Sequence, residues 1–461
     1  MRNRSLRRDA LEKMQYYQGD HWDFWTGPTV SAAAGGGQGL DEIRRVFQSC
    51  NFIEECIDRY VDALIGQFPT WYLKTADGDR ADKVKDKRAS ELEVLLQQWI
   101  DLVTIRSAED VNDGNDIWTD AVTAMSVVGH GDLRLWTPAR YADASTPLER
   151  IHLSLLVPGQ IERTTDDDGF LESLSYSYGS KRQLHTLDGD YLVVEGDDVP
   201  NGKVRLNLGG RWLVSFLQSR SLITPHVMSL QNGVNRALTM MGRNSVLAGF
   251  LERTFLNAQA PGNWIEDPIT GESRFVPDPA GLASGGGIDT FVSGIPQLSS
   301  DGLSQTLSLP ELYVREPVSP NTFLDEIEGY RTLIYNQFSQ GHMVNGSRAA
   351  QSGLSRIESR QDFARKLLRP KRSIEAAMAN TLTVVCRLLG YPEFQAVVTL
   401  NLNTGRLTAD EQRAIIERYE KKLLSRSTAM ALLGNISDPD AELQLILAEE
   451  QAGLEERSPV E

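Results

Sequence analysis

The spacing of apolar residues along this chain changes twice, and that change constrains the fold more tightly than any single motif. Up to about residue 130 the apolar positions recur every three or four residues, as on one face of a helix. From 131 to about 217 they alternate, as in strands with one face buried, and from 225 the helical spacing returns. Helices followed by a contiguous antiparallel β region and then by helices again predict an α+β chain that is mostly helical.

The first helical part reads as amphipathic stretches at 6–17, 51–68, 91–103 and 117–128. In the second, Phe52, Ile53, Cys56, Ile57, Tyr60, Val61, Leu64 and Ile65 form one stripe that Pro69 terminates. Trp71, Tyr72 and Leu73 read as a following strand. In the β region, Asp166, Asp167, Asp168 and Gly169 have the composition of a hairpin tip, and the carboxylates there need no metal to explain them. A helix is expected over 225–256, short β pieces at 264–266, 273–276 and 290–292, and a second helix from Ser319 with Pro320 in its first turn.

Residues 341–353 separate that helix from another predicted over 354–389, which would be about 54 Å long and contains Pro370. The run has no apolar periodicity and carries Gly341, Gly346 and Gly353, so it reads as a flexible loop held between long helices. It offers His342, Asn345, Ser347, Arg348, Gln351 and Ser352. The helix after it carries Arg356, Arg360, Arg365, Lys366, Arg369, Lys371 and Arg372. These groups suit a polyanion better than a small substrate. A strand at 396–402, a capping box of Thr408 with Glu411, and a last helix at 438–451 complete the reading.

The basic run stands out because the chain as a whole has a formal net charge of −16. That balance excludes a protein coated with nucleic acid and permits only a local basic ring. The thiols Cys50, Cys56 and Cys386 lack metal-site spacing and read as buried and reduced, and the six histidines are scattered. No phosphate-cradling P-loop, nucleophile elbow or zinc-protease motif occurs, so neither catalytic residues, metal ligands nor a cofactor are assigned and no enzyme is expected. The first eight residues carry arginines without the apolar core of a signal peptide, and no apolar stretch is long enough to span a bilayer. A cytoplasmic origin with no membrane partner is therefore expected. Tyr16, Tyr17, His21, Trp22, Phe24 and Trp25 form an aromatic cluster that reads as packing on the helical core.

The order of these parts resembles the portal proteins of tailed bacteriophages, the head-to-tail connectors, and is most similar to those of long-tailed phages. The matching residues are Tyr16-Tyr17-Gln18-Gly19-Asp20-His21-Trp22, then Val61-Asp62-Ala63-Leu64-Ile65-Gly66 in a helix ending near Pro69. Gln351-Ser352-Gly353-Leu354-Ser355-Arg356-Ile357 open a long Pro-containing helix. The resemblance spans about residues 10–425 and implies a wing at 1–224, a first stem helix at 225–256 and a clip at 257–318. A second stem helix at 319–340, a tunnel loop at 341–353, a kinked wing helix and strand at 354–403, and a crown with an acidic tail at 404–461 would follow.

The resemblance further implies a homo-oligomeric ring of about twelve copies. It would sit at one capsid vertex of a virion, assembled in the host cytoplasm. Double-stranded DNA would pass through the ring transiently and without sequence preference. The implied protein partners are the terminase large subunit, a major capsid or scaffold protein, and a neck adaptor. His342, Asn345, Ser347, Arg348 and Gln351 would face DNA, while Arg356 and Arg360 would either complete a basic ring or pair with acids of a neighbouring subunit. A non-enzymatic capsid or tail adaptor that never encircles DNA is the competing expectation. The Gly/Ala-rich stretch at 32–39 and the glycines at 285–287 depart from the family pattern.

Overall fold

The computed structural model describes residues 2–22, 43–75, 77–81, 86–110, 116–138, 141, 143–156, 160–178, 181–196, 199–249, 253–258, 262–266, 268, 271–277, 289–292, 297–298, 305–306, 309–314, 318–345, 353–403, 409–426, 429–430 and 446. The fold mixes helix and sheet. The chain forms two compact units, one built from Met1–Asp20, Asn51–Met228 and Thr332–Glu461, the other from His21–Cys50 and Ser229–Arg331. The chain passes between them inside two helices, at 228–229 and at 331–332.

The first unit opens with α1 (Arg2–Gln18) and α2 (Phe52–Ile65). Asn51 caps α2 by accepting from the Glu54 N–H, and the stripe foreseen from spacing is buried except for the half-buried Phe52, with Ile53, Cys56, Ile57 and Leu64 fully enclosed. The helix ends at Gly66, short of Pro69, and the Gly66 N–H makes its last i→i−4 bond, to the Asp62 carbonyl. Strand β1 (Thr70–Lys74) follows. Then come α3 (Lys87–Asp110), longer than its apolar stripe suggests, and α4 (Ile117–Val128), capped by Asp116 at its start and by left-handed Gly129 at its end.

The β region divides into two antiparallel sheets. Strands β2 (Leu133–Trp136) and β3 (His152–Leu155) flank the short helix α5 (Pro147–Arg150). Strands β4 (Ile161–Thr165), β5 (Leu171–Tyr178), β6 (Lys181–Asp188), β7 (Tyr191–Gly196) and β8 (Lys203–Asn207) form a five-stranded meander, while β9 (Val214–Ser215) returns to the edge of β2. The aspartate-rich segment is a hairpin tip: Asp166 accepts from the Phe170 N–H at 2.7 Å and Gly169 takes a positive φ. Leu156, Leu174, Tyr176 and Val214 make the local apolar core. Beside it, Arg134 stacks 4.0 Å over Tyr176 and donates to Gln183 at 2.6 Å, and Arg163 pairs with buried Asp132.

The second unit is organised by α6 (Pro225–Gly249), which gives way to β10 (Arg253–Leu256). The helix expected to reach Leu256 ends earlier because 253–256 pair in a sheet on both sides, parallel to Asp289–Val292 and antiparallel to Glu311–Val314. The insertion holds β11 (Gly262–Glu266), β12 (Ser273–Pro277), β13 (Asp289–Val292), β14 (Gln297–Leu298), β15 (Gln305–Thr306) and β16 (Glu311–Val314), and leads into α7 (Pro320–Gln337). Gln231, Asn235 and Thr239 lie one turn apart on α6 and are fully buried. Their partners explain the polarity: Gln231 donates to the Cys50 carbonyl at 2.6 Å, Asn235 bonds His21 Nδ1 at 2.9 Å, and Thr239 exchanges bonds with the Gln48 backbone. A buried polar stripe on α6 thus bonds the backbone at Gln48 and Cys50 and the ring of His21. Cys50 is exposed, against the expectation of three buried thiols; the residue is held to α6 through its backbone carbonyl and not through its side chain.

Beyond α7 come α8 (Gly341–Asn345), the long helix α9 (Gly353–Leu388) that runs through Pro370, β17 (Gln395–Thr399) and α10 (Ala409–Glu420). Strand β17 pairs antiparallel with β1, Thr70 opposite Thr399, closing the first unit with its most distant strands. The C-terminal half of α9 buries Ile374, Met378, Leu382, Val385 and Cys386, and burial pushes the Cys386 thiol up to about 12. No described helix is long and apolar enough to cross a membrane. The residues at 32–39 and 285–287, Phe24, Trp25, the Thr408 cap, and the last helix expected at 438–451 apart from residue 446 lie outside the described residues.

Candidate functional site

The run at 341–353 joins α7 to α9, and the structure shows how its first part is held. The last turn of α7 is fastened to α2: the Tyr335 ring packs edge-on to Phe52 at 6.4 Å, and Arg59 donates to the Tyr335 hydroxyl at 3.3 Å. Burial, with the Glu55 carboxylate nearby, pushes the Tyr335 hydroxyl up to about 12. Ser339 then takes a left-handed backbone at φ 59°, reversing the chain, and the buried Gln340 donates its side-chain N–H to the Cys56 carbonyl at 2.7 Å.

After this reversal the first five residues of the expected loop are helical, as α8. Phe338 and Val344 are buried and fix the helix from beneath. His342 is half-buried, its ring tilted against Phe363 of α9 at 6.1 Å, and Phe363 in turn meets Tyr60 of α2 at 6.2 Å. Asn345 is the final residue of α8. Ser347, Arg348 and Gln351 lie outside the described residues, and Arg356 and Arg360 fall on the opening turns of α9. The structure therefore brings His342 and Asn345 onto one short helix, with α9 beginning at Gly353.

The basic run on α9 divides by environment. Lys366 is half-buried, its ammonium donates to the Gln337 carbonyl at the end of α7, and burial lowers its pKa. Lys371 faces Glu375 at 3.7 Å, and Glu375 also accepts from the Leu400 N–H. Arg365, Arg369 and Arg372 are exposed, with Arg365 only loosely paired to Asp362 at 3.5 Å. Exposed guanidiniums are available to a polyanion, whereas Lys366 spends its charge on the C-terminal carbonyls of a helix. Sequence reasoning passed over Gln340, which positions the junction, because a lone glutamine after a helix carries no periodic signal.

The insertion of the second unit presents the other candidate surface. Trp264, Leu309, Leu312 and Tyr313 are 55–82% exposed, more apolar surface than isolated strands need leave uncovered. It is carried by α6 and α7, which run antiparallel: Gly233 abuts Tyr330, Arg236 reaches Glu326 and Tyr330 at 3.4 and 3.2 Å, and Asn244 exchanges two hydrogen bonds with Val318. A Cβ at Gly233 would lie 2.7 Å from the Tyr330 ring, so the approach requires glycine.

No protein-family model matches the sequence, and no curated protein matches it. Among solved structures, similar chains occur in the neck of an empty gene transfer agent particle, computed with C6 symmetry, and in the virion of a native gene transfer agent particle. The first is 15% identical with a TM-score of 0.38, the second 14% identical with a TM-score of 0.36; each match covers 85% of this chain and 92% of the other.

Proposed function

We propose that the chain is a portal-type subunit, a non-enzymatic structural protein of a phage-like particle. About twelve copies close into a ring through which double-stranded DNA passes. The observation that carries this reading is the antiparallel pairing of α6 and α7 around a β-rich insertion with exposed apolar side chains, followed by a tight reversal, the short helix α8 and then the long helix α9. Paired helices are a stiff strut, and the insertion at their far end is a surface for other proteins: first the terminase, then the neck adaptor. The run at 341–353, anchored through Gln340, is a contact of limited reach at the channel.

The chain's own chemistry in this role is electrostatic. One exposed arginine binds phosphate weakly, and a ring of them forms a sequence-blind collar, while a strongly acidic remainder keeps DNA from adhering along the walls. Arg348 and Gln351 are assigned to DNA, and Arg356 and Arg360 to the same ring or to the neighbouring subunit. Native mass spectrometry and negative-stain imaging of the full chain test the reading. Closed rings are expected; monomers or dimers under all assembly conditions would favour an adaptor that does not encircle DNA. Replacing 341–353 by a short linker is expected to leave rings intact and impair DNA packaging or retention.

A further inference from the structure

The loop between β8 and β9 meets the last turns of α9 in an arrangement that the channel reading leaves unexplained. Gly209 and Gly210 both take positive φ, 58° and 70°, and turn the chain so that Arg211 faces α9. Arg211 donates to Asn380 Oδ1 at 3.1 Å, and Asn380 in turn donates to Ser215 at 2.9 Å, which fixes the guanidinium in place. Seven residues on, two turns along the same face of α9, Arg387 lays its guanidinium over Gly209. A Cβ there would stand 2.4 Å from Nη1, 2.5 Å from Cζ and 2.6 Å from Nη2, so glycine is what admits the planar group.

Two guanidiniums are thus held close together. Among the described residues neither forms an ion pair, although the chain is rich in carboxylates. Arg387 Nε is buried and has no hydrogen-bond partner among them. Burial and the neighbouring Arg387 charge both lower the pKa of Arg211. Both side chains are half-buried, so the pair remains open to solvent on one side. An anion supplies the missing acceptors and offsets the repulsion between the two like charges.

We infer that Arg211 and Arg387, set by Asn380 and by the Gly209–Gly210 turn, form a binding site for an oxyanion: a phosphate group or a carboxylate. Two guanidiniums offer several N–H donors, enough for two or more acceptor oxygens. The oxyanion comes either from solution or from an acidic side chain of a second copy of this chain.

Thermal unfolding of the full chain in sodium phosphate, against sodium chloride at equal ionic strength, reads the site directly. Phosphate is expected to raise Tm by on the order of 2–4 °C beyond chloride. Arg387→Gln should abolish that increment. Arg211→Glu, which places a carboxylate beside Arg387, should abolish it too. An equal increment in the parent and both variants, or none in the parent together with unchanged self-association in both variants, overturns the site. Sedimentation separates the sources: a carboxylate from a second copy predicts that Arg387→Gln weakens self-association and that phosphate competes with it, whereas a free oxyanion leaves association unchanged.

Discussion

Gln340 donates its side-chain N–H to the Cys56 carbonyl at 2.7 Å, with both residues buried, and so ties the chain reversal after α7 to the middle of α2. A carbonyl in the interior of a helix normally has its own intrahelical partner, and its second lone pair is here used to hold an element 284 positions away. The bond determines where 341–353 begins. Gln340→Leu is expected to destabilise the chain by about 1–3 kcal/mol, as read by urea unfolding, with Gln340→Glu no better at neutral to alkaline pH, where an ionised carboxylate cannot donate.

The Gly233–Tyr330 contact makes a second prediction. Gly233→Ala forces the ring to move, and the expected cost is about 1–3 kcal/mol. The readout is chemical unfolding of the full chain. Tyr330→Leu in the Gly233→Ala background should recover part of the loss, because it removes the edge of the ring that the new methyl meets. Recovery absent in the double variant would mean that the cost arises elsewhere in α6.

The basic run on α9 is expected to split in mutagenesis. Lys366→Met removes the hydrogen bond to the Gln337 carbonyl and should cost about 1 kcal/mol. Arg369→Ala and Arg372→Ala alter exposed side chains and should stay within about 0.5 kcal/mol. In assembled particles the order reverses: the exposed arginines are the ones whose loss should weaken salt-dependent DNA retention. Equal effects of all three on stability would contradict the division seen in the structure.

Acid sensitivity has two opposed sources in the β region. Burial, with Arg134 nearby, pushes His185 from 6.5 down to about 4. The stability it contributes is present above pH 6.5 and is lost as pH falls through about 4, because only the unfolded chain takes up the proton in between. Burial raises Asp132 from 3.8 to about 6, outweighing the adjacent Arg163, and its Oδ1 has no hydrogen-bond partner among the described residues. Its contribution is full below pH 3.8 and is lost as pH rises through about 6. Unfolding free energies measured across this range should fall less steeply on acidification in His185→Asn, and more steeply in Asp132→Asn.

The amino-acid sequence by itself determined the kinds of element and most of their positions. The stripe from Ile53 to Ile65, the whole of 117–128, the alternation through the meander and the helix through Pro370 were all legible. Burial of one face leaves a repeat in the chain, 3.6 residues for a helix and two for a strand, that needs no knowledge of the partner. The acidic balance and the basic run after residue 353 were equally visible, since charge is a local property.

Tertiary structure alone decided which distant residues meet. Residues 253–256 continue the apolar character of α6 and are strand only because β13 and β16 lie on either side. Likewise, the pairing of β1 with β17, the hydrogen bond from Gln340 to Cys56, the buried polar stripe of Gln231, Asn235 and Thr239, and the approach of Arg387 to Gly209 depend on single contacts between segments remote in the chain. A single contact of that sort repeats nowhere, so it leaves no period to read; its energy appears only when the fold has brought the two groups within bonding distance.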